Sequence, residues 1–131
     1  MRWEFHDDAP IHAQVTERIE RLIVSGAMQP GQKLPSVRSF ALEAGVNPNT
    51  MQKALTELER GGLIYSQRTA GHFVTNDPQI IAAARESLAA KLIRQYLRGM
   101  TELGCSPEEA ETLLRRQLQS EGGEEHANSE L

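Results

Sequence analysis

Cysteine is nearly missing from this chain. Cys105 is the single one in 131 residues, so no intrachain disulfide forms and no CxxC metal pair exists. That usage fits a reducing cytoplasm. Long apolar runs are missing too: nothing approaches the ~18 consecutive apolar residues of a membrane span. Met1–Asp8 lacks the apolar core of a signal peptide. A cytoplasmic protein with no membrane partner is therefore expected. His6, His12, His72 and His126 are scattered, and no His or Cys pair has the close spacing of a zinc site. No Ser-His-Asp, Cys-His or paired-carboxylate arrangement offers a nucleophile, a base and an orienting group. Gly61-Gly62 ends a helical pattern rather than opening one, so it is not a phosphate loop. The expectation is no catalytic residue, no metal and no cofactor. Aromatics make up only 5% of the chain, and Trp3 reads as an anchor for the N-terminal arm in preference to the wall of a ligand pocket.

What is present is a divided charge. The net charge of −4 argues at first against a polyanionic partner. Residues 10–75, however, hold seven Lys/Arg against five Glu, whereas residues 76–131 hold six bases against ten acids. The excess of acid lies outside residues 10–75, and a local basic face matters more to nucleic acid than the total does.

The segment Leu34–Gly62 organises the rest. Ser36 is placed to cap a short helix with Val37, Phe40, Ala41 and Ala44 on its apolar side and Arg38 projecting away. Gly45 stops it, because glycine adopts the left-handed conformation at little cost. Asn47 is a good N-cap and Pro48 suits the first position of the next helix, where no backbone N–H is needed. At ~100° per residue that helix gathers Met51, Ala54, Leu55 and Leu58 on one face. Asn49, Gln52, Lys53, Thr56 and Arg60 share the opposite face. Amides, a hydroxyl and cations are the groups that bond to base edges and phosphates in a major groove, and also the groups of any solvated helix face.

Upstream, Trp3 and Phe5 alternate with polar residues, as in a short strand or extended arm over residues 1–8. Pro10 opens a first helix, with Ile11, Val15, Ile19, Leu22 and Ile23 at helical spacing up to Gly26. Gln29-Pro30-Gly31-Gln32 is a turn, and Leu34 before Pro35 is extended. Downstream, Leu63–Gln67 reads as a strand, Arg68–Gly71 as a turn and His72–Val74 as the returning strand. A hairpin directly after a helix-turn-helix makes a winged helix, in which the second helix of the pair enters the major groove and the hairpin reaches the flanking backbone or minor groove.

Asn76-Asp77-Pro78 starts something new. Residues 79–103 form one long helical pattern, with Ile81, Leu88, Leu92, Tyr96 and Leu103 on an apolar stripe that Ile93, Leu97 and Met100 widen. Gly104 ends it, and Ser106-Pro107-Glu108-Glu109 is a capping box for a further helix carrying Ala110, Leu113, Leu114 and Leu118. Glu121–Leu131 is rich in Gly, Glu and Ser, the composition of a disordered acidic tail. A two-helix hairpin cannot bury so wide a stripe alone. Either a second copy covers it or it folds back on the winged helix. The expected architecture is thus mainly α with a small β-hairpin: a winged-helix domain over 1–76, a two-helix dimerisation domain over 77–120 with Leu88, Leu92, Tyr96, Leu103 and Leu114 at the contact, and a tail over 121–131.

The punctuating residues resemble a known family. Pro10-Ile11, Gly26-x-x-x-Pro30-Gly31-x-x-Leu34-Pro35-Ser36-x-Arg38, Gly45-Val46-Asn47-Pro48-Asn49-Thr50, Leu58-x-x-x-Gly62-Leu63-Ile64 and Gly71-x-Phe73-Val74 are similar to the N-terminal domain of GntR-family bacterial transcription regulators. The resemblance covers about residues 10–75. The short two-helix remainder resembles the YtrA subfamily, whose small C-terminal domain dimerises. It implies that Ser36 and Arg38 at the start of the second helix, Asn47, Asn49, Thr50, Gln52 and Lys53 in the third, and Arg68, Thr69 and Gly71 at the wing tip face DNA. The family's wing commonly reads Gly-x-Gly-Thr-Phe-Val. Here Thr69 replaces the first glycine and His72 the threonine.

Two classes of function follow. One is a homodimeric, sequence-specific DNA-binding regulator reading an inverted-repeat operator; the resemblance implies repression, often of genes for an ABC transporter beside the regulator. The other is a winged-helix adaptor for a protein partner, which would carry apolar residues on the third helix where this chain has Asn, Gln, Lys, Thr and Arg. The sequence names no small-molecule effector. One would have to use the dimer hairpin or the cleft between the two parts.

Overall fold

A computed structural model of the chain describes residues 3–129, with side-chain environments through residue 122. The elements follow the order α1 (Ile11–Val24), α2 (Val37–Ala44), α3 (Pro48–Arg60), β1 (Ile64–Gln67), β2 (Gly71–Val74), α4 (Pro78–Glu102) and α5 (Pro107–Ser129). They fall into two units, residues 1–88 and residues 89–131.

In the first unit α3 is the central element. Met51, Ala54, Leu55 and Leu58 are buried on one of its faces, against Val15, Ile19, Leu22 and Ile23 of α1 and Phe40, Ala41 and Ala44 of α2. Local chemistry sets the ends of these helices. Ser36 Oγ accepts from the Ser39 N–H at 3.2 Å, and Asn47 Oδ1 accepts from the Asn49 N–H at 2.8 Å. Gly45 ends α2 with φ +74°, a left-handed conformation that a side chain would resist. Pro10 caps α1 without a side-chain hydrogen bond. Ile11, at the first helical position, is 40% exposed, whereas the other apolar residues of that spacing are buried.

The N-terminal arm packs on this core through Trp3, whose ring meets Phe40 edge-on with centroids 5.8 Å apart. Gln14 holds the arm down, donating to the His6 and Ala9 carbonyls and accepting from the His6 N–H. Residues 3–6 form no strand, and Met1 and Arg2 of the expected arm lie outside the described residues. The hydrogen bond from His6, together with a backbone bond and the His6 charge, holds the Asp8 carboxyl below the usual carboxylate range.

The hairpin pairs antiparallel in the register Ile64↔Val74, Tyr65↔Phe73, Ser66↔His72 and Gln67↔Gly71. Ile64 and Val74 are buried, whereas Tyr65 and Phe73 stack on the other face with centroids 5.6 Å apart. The extended piece before α2 joins this hairpin: the Leu34 N–H donates to the His72 carbonyl at 2.9 Å, and Lys33 bridges Phe73.

The unit boundary lies within α4 rather than at Asn76-Asp77. Ile81 is buried in the winged-helix core, with Ile80 and Ala84 packed beside it, and the Arg85 guanidinium donates to the Val24 carbonyl at 3.1 and 3.3 Å. Ile81 therefore belongs to the first unit and not to the apolar stripe expected for the long helix. In the second unit the predicted capping box forms: the Glu109 N–H donates to Ser106 Oγ at 3.1 Å and the Ser106 N–H to Glu109 Oε1 at 3.3 Å. The Tyr96 hydroxyl donates to the Ala110 carbonyl and fixes α4 against α5. The backbone of α5 stays helical to Ser129, past the expected start of a disordered tail at Glu121. Extending a formed helix avoids the nucleation cost, and the Glu-rich sequence tolerates it despite Gly122-Gly123. Glu130 and Leu131 lie outside the described residues.

Candidate nucleic-acid interface

The burial of one face of α3 fixes the direction of the other. Asn49, Gln52, Lys53, Thr56 and Arg60 are all exposed, and Thr50 is half-buried. The Asn47 carbonyl oxygen is engaged in capping, which leaves its amide NH₂ to donate. Gln52 lies along the helix, its amide 3.5 Å from the Thr56 hydroxyl, which itself donates to the Gln52 carbonyl at 2.9 Å. That is a long, weak contact for the amide. Lys53 makes no ion pair among the described residues. Arg60 differs: its guanidinium meets Glu57 Oε1 at 2.6 Å, so its charge is already paired.

Ser36 spends its oxygen on the α2 cap, and Arg38 stands exposed on the first turn of that helix. At the wing tip Arg68, Thr69 and Gly71 are exposed. The turn closes with the Ala70 N–H donating to the Gln67 carbonyl at 3.1 Å. Thr69 has φ +64° and Gly71 φ +104°. The threonine thus adopts the left-handed conformation that glycine adopts freely, a strained state for a β-branched residue.

Two neighbours of this surface escaped the sequence reading. His12, in the first turn of α1, borders a shallow depression of about 280 Å³ with Gln52, Lys53, Thr56, Glu57 and Arg60. Ser66 Oγ donates to Glu59 Oε1 at 2.6 Å and ties the wing to α3. Both are contacts between elements, for which periodicity carries no signal.

The second unit carries the residues expected at a dimer contact, with one exception: Leu88 belongs to the first unit and is half-buried there. Leu92, Ile93, Tyr96, Leu97 and Leu114 line an apolar groove of about 450 Å³ with Pro107 and Glu111. Leu92 is 48% exposed, Leu118 58% and Leu103 78%. Among the described residues, no helix is long and apolar enough to cross a membrane.

The helix-turn-helix and wing coincide with a match to the family described as "Bacterial regulatory proteins, gntR family", over residues 11–74. A Bacillus subtilis relative, an HTH-type transcriptional regulator YhcF, is 34% identical over 81% of this chain and 88% of its own. The chain belongs to the GntR family. The HTH-type transcriptional repressor YtrA of Bacillus subtilis is 43% identical over 52% of each chain, and within the GntR family this protein is YtrA-like. A GntR-family transcriptional regulator from Listeria monocytogenes superposes with a TM-score of 0.77 at 34% identity, covering 86% of this chain and 98% of that one. The DNA-binding domain of AraR, solved in complex with operator ORX1, superposes with a TM-score of 0.53 at 32% identity over 57% of this chain and 96% of its own. These relatives are transcriptional regulators, not enzymes, and the winged helix is of the DNA-binding type.

Proposed function

We propose that this GntR-family regulator is a cytoplasmic repressor that binds an inverted-repeat operator as a homodimer and occludes transcription, with transporter genes as its targets. The observation that carries the DNA half of this reading is the exposed face of α3: Asn49, Gln52 and Lys53 stand clear of the core on a helix whose opposite face is fully packed. An adaptor for a protein partner would present apolar residues there. In this reading Asn49 and Gln52 donate and accept at adenine edges. Arg38 and Lys53 neutralise phosphates, Asn47 and Thr50 bond to the backbone at the start of α3, and the cap at Ser36 brings its first-turn N–H groups near the DNA. Arg68, Thr69 and Gly71 approach the minor groove.

The dimer half rests on the second unit. Its exposed leucines surround a groove lined by Leu92, Leu97 and Leu114, and an apolar stripe of that width calls for a covering surface. A second copy supplies the same stripe, and an isologous contact needs no other partner. Two-fold pairing then sets two α3 helices one turn of DNA apart, ~34–36 Å. Sedimentation of the full chain, alone and with duplexes carrying either an inverted repeat or a single half-site, tests this. A dimer that binds the inverted repeat far more tightly than the half-site supports the reading. A monomer that binds both equally contradicts it.

A further inference from the structure

An extended segment outside the two-stranded sheet is bridged to the wing, and that segment carries a cation. Gly31–Leu34 runs beside β2: the Gly31 N–H donates to the Val74 carbonyl, the Val74 N–H to the Gln32 carbonyl and the Leu34 N–H to the His72 carbonyl, each at 2.9 Å. Lys33 pairs with Phe73, and Phe73 with Tyr65, so the three residues form one row across the sheet. Alternation along a strand sends Leu34 into the core, where it is 3% exposed, and Lys33 out on the opposite face.

The Lys33 stem lies over the wing turn. A Cβ added to Gly71 would sit 3.5 Å from Lys33 Cε. The end of the stem therefore lies beside backbone that has no side chain, at the residue that opens β2 after the wing turn. Among the described residues Lys33 has no ion pair or hydrogen bond through its side chain. A lysine laid along a surface with its charge unpaired is poised for an anion from outside the chain.

We propose that Lys33 is a phosphate-binding residue of the wing: its ammonium group neutralises a DNA backbone phosphate beside the groove that the wing tip enters. This rests on the DNA-binding reading above. It enlarges the interface from helix-turn-helix and tip to the extended segment bridged to β2, and it gives Gly71 a second role, as the bare surface on which the lysine lies. The contact is to phosphate, so it contributes equally on every sequence.

The test compares the full-length wild type with Lys33→Gln, Lys33→Arg and, as a positive control, Arg38→Ala. Affinity is measured for a selected duplex and for a random duplex across a salt series, with thermal melting to show that each variant is folded. Glutamine keeps much of the stem and removes the charge. The expected result is a loss of about fivefold on both duplexes near ~0.15 M salt and a salt slope shallower by ~0.9, with Lys33→Arg close to wild type. An unchanged slope in Lys33→Gln, alongside a shallower slope in Arg38→Ala, overturns the Lys33 assignment and leaves the DNA reading standing. A loss confined to the selected duplex also overturns it, since that is base reading. If the wild type itself shows no salt-dependent affinity for either duplex, the DNA reading fails and the Lys33 contact with it.

Discussion

Ser66 Oγ donates to Glu59 Oε1 at 2.6 Å, joining the first strand of the wing to the last turn of α3. Both residues are exposed, so water competes for the bond and its net contribution is small. Ser66→Ala should cost about 0.5 kcal/mol in urea unfolding. Its larger effect should be on order: amide exchange in Ile64–Gln67 should quicken because one restraint on the strand is gone. A loss above ~2 kcal/mol would mean that the pair is a structural anchor rather than an alignment device.

Thr69 at φ +64° stores strain at the tip of the wing. Glycine relieves it, at some entropic cost in the unfolded chain. Thr69→Gly should therefore raise stability by up to ~1 kcal/mol, read as a higher urea midpoint at unchanged slope. A lower midpoint would show that the threonine hydroxyl, which donates to the Arg68 carbonyl at 2.6 Å, outweighs the backbone strain.

Gln52 is held only by a 3.5 Å contact to Thr56, so its amide turns toward a base at little cost. Gln52→Ala should lose ~1–3 kcal/mol against the preferred base at one position of each half-site and little on random duplex. An equal loss on both would make Gln52 a backbone contact.

Leu92 is half exposed on the groove of the second unit. In the proposed dimer Leu92→Asp would bury an unpaired carboxylate in the two-fold contact, costing about 3 kcal/mol or roughly 100-fold in dimer dissociation. Sedimentation velocity should show a monomer at concentrations where the wild type is dimeric. A variant that still sediments as a dimer places the contact elsewhere.

The sequence was most legible where single residues impose backbone geometry. Gly45, Asn47 and Pro48 delimit α2 and α3 through a left-handed residue, a cap and a ring-fixed φ, and helical spacing then gives the buried and exposed faces of α3. It was least legible where pairing is between distant segments. Nothing local marks Lys33 as a strand neighbour of Phe73, or Ser66 as a partner of Glu59. The unit boundary was hidden for a related reason: α4 is one continuous helix, and only the tertiary burial of Ile81 and the Arg85–Val24 bond divide it. Family resemblance supplied the order of the positions proposed to face DNA; side-chain chemistry supplied a reason for most of them.

In the proposed function α3 and the wing read a specific duplex as part of a symmetric pair. Selection of random duplexes by the purified full-length protein at near-physiological salt tests this most directly. Enrichment of an inverted repeat whose half-site centres lie about 10–10.5 base pairs, or a multiple, apart is the expected result. Recovery of no preferred sequence by a folded, dimeric protein would contradict it.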